Sequence, residues 1–298
     1  MQRQNLLEKI RDNCVIIDGA MGTQLAKAGL EPGNCNEYLN IKSPDKVQAI
    51  YENYFSAGSD AVITNTFGAN TFALKRHGLS EKVQQINHAA AEIARKAAGP
   101  DRYVLGDIGP SGDFLQPLGT LQPDQLKEAF AVQAKALQQG GVDAFIIETM
   151  SALDEIIIAI EAVKSVSELP VFASMAYDSG QVGYRTMMGV DPENAVEQLT
   201  RAGVNALGFN CGKMALEDYI KLAKIISAKI NSLNSNVFLL AELNAGIPEL
   251  TDQGAVYKVT PDQFADAVAK VKDLGFKILG GCCGTSPAFI KAVAQKLN

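Results

Sequence analysis

The sequence predicts a single α/β domain over residues 1–298, a (β/α)8 TIM barrel of eight parallel strands ringed by helices. Three observations carry this. Eight short apolar runs recur along the chain, helical patterns fill the intervals, and the runs start roughly 27 to 46 residues apart. About 250 residues in eight units would give ~31 per unit. A doubly wound open sheet is the second choice, and no Ser/Gly/Pro-rich linker divides the chain.

The runs span residues 15–18, 61–66, 103–108, 144–149, 171–177, 206–211, 237–244 and 277–281. Most are continuously apolar rather than alternating, as expected of parallel strands covered by helices. Helix starts are marked between them. Ser43-Pro44 opens one helix and Gly58 follows it; Ser80 opens another, with Gly99 beyond its end. Asp191-Pro192 and Ser286-Pro287 pair an N-cap with proline at the first helical position. Thr260-Pro261-Asp262-Gln263 reads as a capping box. The long first interval, holding Glu31-Pro32-Gly33-Asn34-Cys35-Asn36, is expected to carry a lid-like loop.

Composition narrows the function. The net charge of −6 comes without a basic stripe, which excludes nucleic acid and anionic membrane as natural partners. No apolar run approaches the ~18 residues of a membrane span, and the polar N-terminus lacks a secretory apolar segment. Five cysteines, an odd number set at glycine-rich turns, do not read as a disulfide framework. A reducing cytoplasm is the expected setting.

Active sites of such barrels lie at the C-terminal ends of the strands. The polar residues there are Asp18, Asn65 with Thr66, Asp107, Glu148, Tyr177, Asn210 with Cys211, Asn244, and Cys282 with Cys283. Cys211, Cys282 and Cys283 fall on ends six and eight, close together across strand seven. Three thiols with one coordination position left open suit catalytic zinc. A zinc ion on three thiolates is negatively charged, better at delivering a bound thiolate than at polarising a carbonyl, which points to sulfur alkylation. Adjacent Cys282 and Cys283 can reach one metal only if the chain turns, and Gly280, Gly281 and Gly284 permit that. Packing or an oxidation-prone pair is the weaker reading of the cysteines. A phosphate site at the glycine-rich end is weaker still, since it leaves them superfluous.

Asp18-Gly19-Ala20-Met21-Gly22-Thr23 forms a glycine-rich turn whose backbone N–H groups can hold a carboxylate. Asp18 can pair with an ammonium beside it, or simply cap the next helix. Glu148 offers a second carboxylate, so an amino acid would suit this rim. Asn65-Thr66-Phe67-Gly68 brings an amide and a hydroxyl near the site, or is only a turn. His77 and His88 lie away from strand ends and no lysine ends an inner strand, which disfavours His-dependent hydrolysis, His-ligated metals and Schiff-base chemistry. Cys14 reads as core and Cys35 as a spectator.

In order along the chain, Asp18-Gly19-Ala20-Met21-Gly22-Thr23, Asn65-Thr66-Phe67-Gly68, Glu148-Thr149, Gly208-Phe209-Asn210-Cys211, Asn244-Ala245-Gly246 and Gly280-Gly281-Cys282-Cys283-Gly284-Thr285 resemble the homocysteine S-methyltransferases. The likeness is greatest to the homocysteine-binding domain of cobalamin-dependent methionine synthases and covers about residues 15 to 290. It implies Zn2+ on Cys211, Cys282 and Cys283, completed by the homocysteine thiolate, which attacks a methyl donor to give methionine. It also implies the amino group at Asp18 and Glu148, the carboxylate at the backbone of Ala20 and Met21, and Asn244 beside the metal. The family's Pro-Asn-Ala-Gly reads Leu243-Asn244-Ala245-Gly246 here, so the proline is missing. With no room for a cobalamin module, the donor is expected to be methylcobalamin on a separate corrinoid protein or domain. The alternatives are a small donor such as S-methylmethionine or a betaine, or a homocysteine-binding subunit inactive without its partner.

Overall fold

A computed structural model describes residues 3–31, 33–251 and 254–297; Pro32 of the expected lid loop lies outside the described residues. The eight expected strands form, as β1 (Val15–Ile16), β2 (Ala61–Ile63), β3 (Tyr103–Ile108), β4 (Ala144–Met150), β5 (Val171–Met175), β6 (Ala206–Asn210), β7 (Phe238–Leu243) and β8 (Phe276–Gly281). All neighbours pair in parallel, in the order β1-β8-β7-β6-β5-β4-β3-β2. The result is a nearly closed (β/α)8 barrel. Strands β1 and β2 are short, and the seam between them is fastened by aspartates. Asp60 N–H donates to the Ile16 carbonyl at 2.6 Å, and its Oδ2 accepts from Ile16 N–H at 2.9 Å. Asp18 Oδ2 accepts from Ile63 N–H at 3.1 Å.

Several strands stop before the apolar runs do. Asp18, Thr64 to Thr66, Cys211 and Asn244 have left the ladder for the loops that carry the site. Alternation explains which side chains meet inside. Leu105, Ile146, Phe172 and Leu240 belong to one buried cluster inside the barrel. Two residues further along each strand the next inward layer is Asp107, Glu148, Ser174 and Glu242. The core therefore changes from apolar to polar within one step of the strand, just below the mouth. The opposite strand faces pack under the helices in a larger apolar cluster.

Helix Pro44–Ala57 ends on Gly58 at φ 109°, and Pro261–Lys272 carries the complete Thr260/Gln263 capping box. Asp191 Oδ1 caps Pro192–Arg201 by accepting from Asn194 N–H at 2.9 Å. Ser80 differs: it starts a 3-10 turn, and the α-helix runs from Val83 to Ala98. Two small hairpins, Asp178–Gly180 with Gly183–Arg185 and Glu249–Thr251 with Gly254–Val256, have no counterpart in the sequence reading. They are three-residue strands without an apolar run to announce them. Among the described residues, no helix is long and apolar enough to cross a membrane.

Candidate metal and substrate site

The ends of β6 and β8 bring Cys211, Cys282 and Cys283 together, with their sulfurs all within 4.8 Å of one another. Cys211 turns out of β6 at φ 54°, its N–H donating to the Glu242 carbonyl of β7 at 3.2 Å. The expected turn after β8 is present. Cys282 N–H donates to the Leu243 carbonyl at 2.8 Å, and Thr285 Oγ1 donates back to the Cys282 carbonyl at 2.7 Å. Only Gly284 of the three glycines has positive φ, at 82°. Gly281 is needed for close approach instead, since a Cβ there would lie 2.6 Å from Thr285 Oγ1.

Three soft sulfur donors converging on one point, with cavity on the other side, fit zinc by donor chemistry. All five cysteines are free thiols. The thiols of Cys282 and Cys283 point at Cys211 and lower its pKa to about 3, while contact with Cys211 raises Cys282 and pushes Cys283 up to about 12. Asn244 lies alongside. Its Nδ2 donates to the Gly212 carbonyl at 2.8 Å and approaches the Cys211 sulfur at 3.9 Å, leaving its buried Oδ1 without a partner.

The sulfurs line one wall of a cavity of about 390 Å³, and Asp18, Asp107, Glu148 and Glu242 line it too. All four carboxyl groups are buried, and burial raises the pKa of each. Glu148 is pushed up to about 7 by burial, with a further contribution from Cys211. Asp107 Oδ1 and Glu242 Oε1 have no hydrogen-bond partner. Buried acids without counter-charge are stabilised by an incoming cation, so the bowl matches an ammonium group.

This raised pKa has a consequence for stability. An unfolded glutamate titrates near ~4.3, whereas Glu148 in the folded chain keeps its proton up to about 7. Its contribution is complete below the unfolded value, is lost as pH rises toward the folded value, and stays lost above it. The melting temperature of metal-free protein should therefore fall between pH ~5 and ~7.5, and Glu148→Gln should reduce that fall. A thermal-denaturation series across pH checks both.

The other predicted residues are placed as follows. Asp18 lines the cavity but also fastens the barrel seam; it does not cap the following helix, whose N-cap is Ala20. Ala20 N–H is already donated to Thr285 Oγ1 at 3.1 Å, which removes it as a ligand donor. Met21 opens helix Met21–Lys27, so its N–H has no intrahelical acceptor. Asn65 braces the first loop: its Nδ2 donates to the Asn36 carbonyl at 2.9 Å and to Asn40 Oδ1 at 3.1 Å. With both donors engaged, it cannot offer its amide N–H groups to a substrate. Tyr177 is packed in the outer core. Sequence reasoning missed Glu242 and Glu37. Glu242 had a signal, a lone acid within the apolar run Phe238–Leu243. Glu37, whose Oε1 accepts from Gly68 N–H at 2.8 Å, lies in the first loop and had none.

Comparison with known proteins adds the family. The family described as homocysteine S-methyltransferase matches residues 15–297. A methionine synthase from Mycobacterium tuberculosis is 33% identical over 310 aligned positions, covering 97% of this chain and 25% of that protein. One from Mycobacterium leprae is 32% identical over 312 positions with the same coverage. The chain thus spans about a quarter of the length of these curated relatives. Among solved structures, the metallated homocysteine methyltransferase MmuM from Escherichia coli superposes with a TM-score of 0.79 at 22% identity, covering 97% of this chain and 99% of that one. That likeness is one of fold. With the family pattern running from the first barrel strand to the last helix, this chain belongs to the homocysteine S-methyltransferase family of methyltransferases.

Proposed function

We propose that this chain, as one (β/α)8 domain, methylates the sulfur of homocysteine to give methionine, with zinc held by Cys211, Cys282 and Cys283. The observation that carries this is the convergence of three thiols on the wall of an acid-lined cavity. Zinc bound there would hold the substrate sulfur as a thiolate at neutral pH, where a free thiol is only a few per cent ionised. The chain's own groups do the rest. Asp18 and Glu148 receive the ammonium, whose charge offsets the burial that keeps Glu148 protonated. The carboxylate lies against the Met21 amide, the donor left free once Ala20 is engaged by Thr285. Asn244 borders the metal through its contact with Cys211.

Held at both ends, the substrate presents its sulfur in line to the methyl donor, and positioning of this kind replaces a bimolecular encounter by an oriented one. The sulfur lone pair forms the new S–CH3 bond, and the donor leaves with the electrons of the bond it loses. The product sulfur is an uncharged thioether, a weaker ligand than the thiolate, which favours release.

We infer methylcobalamin on a separate corrinoid protein or domain as the donor. The methionine synthases matched here are about four times as long as the matched segment, leaving room for a donor-carrying part. Exposed apolar side chains also stand on the loops after β3 and β5, where Phe114, Leu118 and Met187 line one surface pocket, and a shared apolar patch of this kind favours a protein partner. The acid lining favours, as a second reading, a small cationic donor such as S-methylmethionine or a betaine. A reducing cytoplasm, where such thiols stay available to a metal, is the compartment we infer. The test is methionine formation by the zinc-loaded chain from homocysteine with methylcobalamin, S-methylmethionine or glycine betaine. Turnover with methylcobalamin is expected; turnover only with a sulfonium or betaine donor selects the second reading. Homocysteine binding without turnover from any donor would reduce the chain to a substrate-binding subunit.

A further inference from the structure

Asn210, the last residue of β6, is fully buried and joins the two halves of the site. Its Oδ1 accepts from Thr149 N–H at 2.8 Å and from Ser174 Oγ at 2.7 Å. The backbone N–H can only donate, so the amide orientation is determined: oxygen toward Thr149 and Ser174, nitrogen toward the cavity. The nitrogen meets Glu148 Oε2 at 2.9 Å and Thr149 Oγ1 at 2.6 Å, and lies 3.9 Å from the Cys282 sulfur. Thr149 has φ 61°, a conformation that a β-branched residue keeps only when its surroundings hold it. Asn210 does so through both the N–H and the hydroxyl of Thr149. The Glu148 carboxyl is therefore held by the same amide nitrogen that lies 3.9 Å from a metal-side sulfur.

We propose that Asn210 is a positioning residue that sets the span between the metal-side sulfurs and the Glu148 carboxylate, and so selects homocysteine over cysteine, which is one methylene shorter. The proposal rests on the reading above, in which the substrate sulfur goes to the metal and its ammonium to Glu148. The two hydrogens of its NH2 go to Glu148 and Thr149 while the same nitrogen packs against the Cys282 sulfur at 3.9 Å, so the buried amide sits as a spacer between the two anchors. A thiol seated at the metal then reaches Glu148 only if its carbon chain matches the span. Cysteine bound through sulfur falls short and leaves the buried acid unpaired. Discrimination of a single methylene is typically ~10- to 200-fold, and that is the selectivity assigned to this bridge.

The test is thiol binding by calorimetry to zinc-loaded wild type, Asn210→Ala and Asn210→Asp, using homocysteine, cysteine and 4-mercaptobutanoate, which has the length but no ammonium. Asn210→Asp keeps the two acceptor contacts that hold the Thr149 turn, and places an oxygen against Glu148 where the NH2 had been. Both variants should retain zinc and lose homocysteine affinity by ~10- to 100-fold, while cysteine and 4-mercaptobutanoate change less than about threefold. If Asn210→Ala loses zinc or fails to fold, Asn210→Asp decides alone. Equal weakening of all three thiols, or unchanged selectivity with zinc retained, overturns the proposal. Wild type binding cysteine as tightly as homocysteine overturns the spacing role alone. Wild type binding no thiol overturns it together with the reading it rests on.

Discussion

Cys211→Ser is expected to strip the chain of zinc and to lower methyl transfer at least about a thousandfold, with the barrel still folded. Two losses combine. A free thiol near pH 7 is only a few per cent thiolate, so ionisation alone is worth over an order of magnitude. The sulfur also loses its fixed place in the site, and well-oriented reactions gain effective molarities of ~10⁵–10⁸ M. The fold should survive because Cys211 lies in the loop after β6 and outside the buried apolar clusters. Metal analysis, circular dichroism and initial rates on the same preparation check the three parts. Zinc retained at the wild-type level would contradict the ligand assignment.

Glu148→Gln should act on the substrate and not on the metal. It removes the charge opposite the ammonium while keeping the side-chain shape and an oxygen for Asn210 to donate to. Hydrogen bonds to charged groups are worth ~1.5–3 kcal/mol, so homocysteine affinity should fall by about 10- to 150-fold with zinc content unchanged. Asp18→Asn should behave alike, and since its remaining oxygen can still accept from Ile63 N–H, the barrel seam should hold. Titration calorimetry beside metal analysis separates the two effects. Zinc loss matching that of Cys211→Ser would contradict both assignments.

Much of this site is legible in the sequence because a parallel barrel collects strand ends at one face. Cys211, Cys282 and Cys283 need only be counted onto strands six and eight to become neighbours, and Asp18 and Glu148 fall on the same rim. The inward period of two would also have exposed Glu242, which follows Leu240 at the next inward position of β7. What is hidden depends on contacts across long stretches of chain. Nothing local to Ala20 shows that its N–H is taken by Thr285, 265 residues away. Nothing local to Asp18 shows that β1 and β2 are too short to close the seam without it. Asn65 reads as a site amide, yet its donors face the first loop, whose path no periodicity predicts. Asn210 is visible as a strand-end residue, but its bridge between Glu148 and Cys282 appears only once β4, β6 and β8 are side by side.

The central claim is that three cysteine sulfurs hold one zinc with a position kept for the homocysteine thiolate. X-ray absorption at the zinc edge, on protein reconstituted with the metal, tests it most directly. One zinc per chain with three sulfur neighbours, rising to four when homocysteine is added, is the expected result. A chain that takes up no zinc, or whose sulfur count does not change with homocysteine, would contradict it.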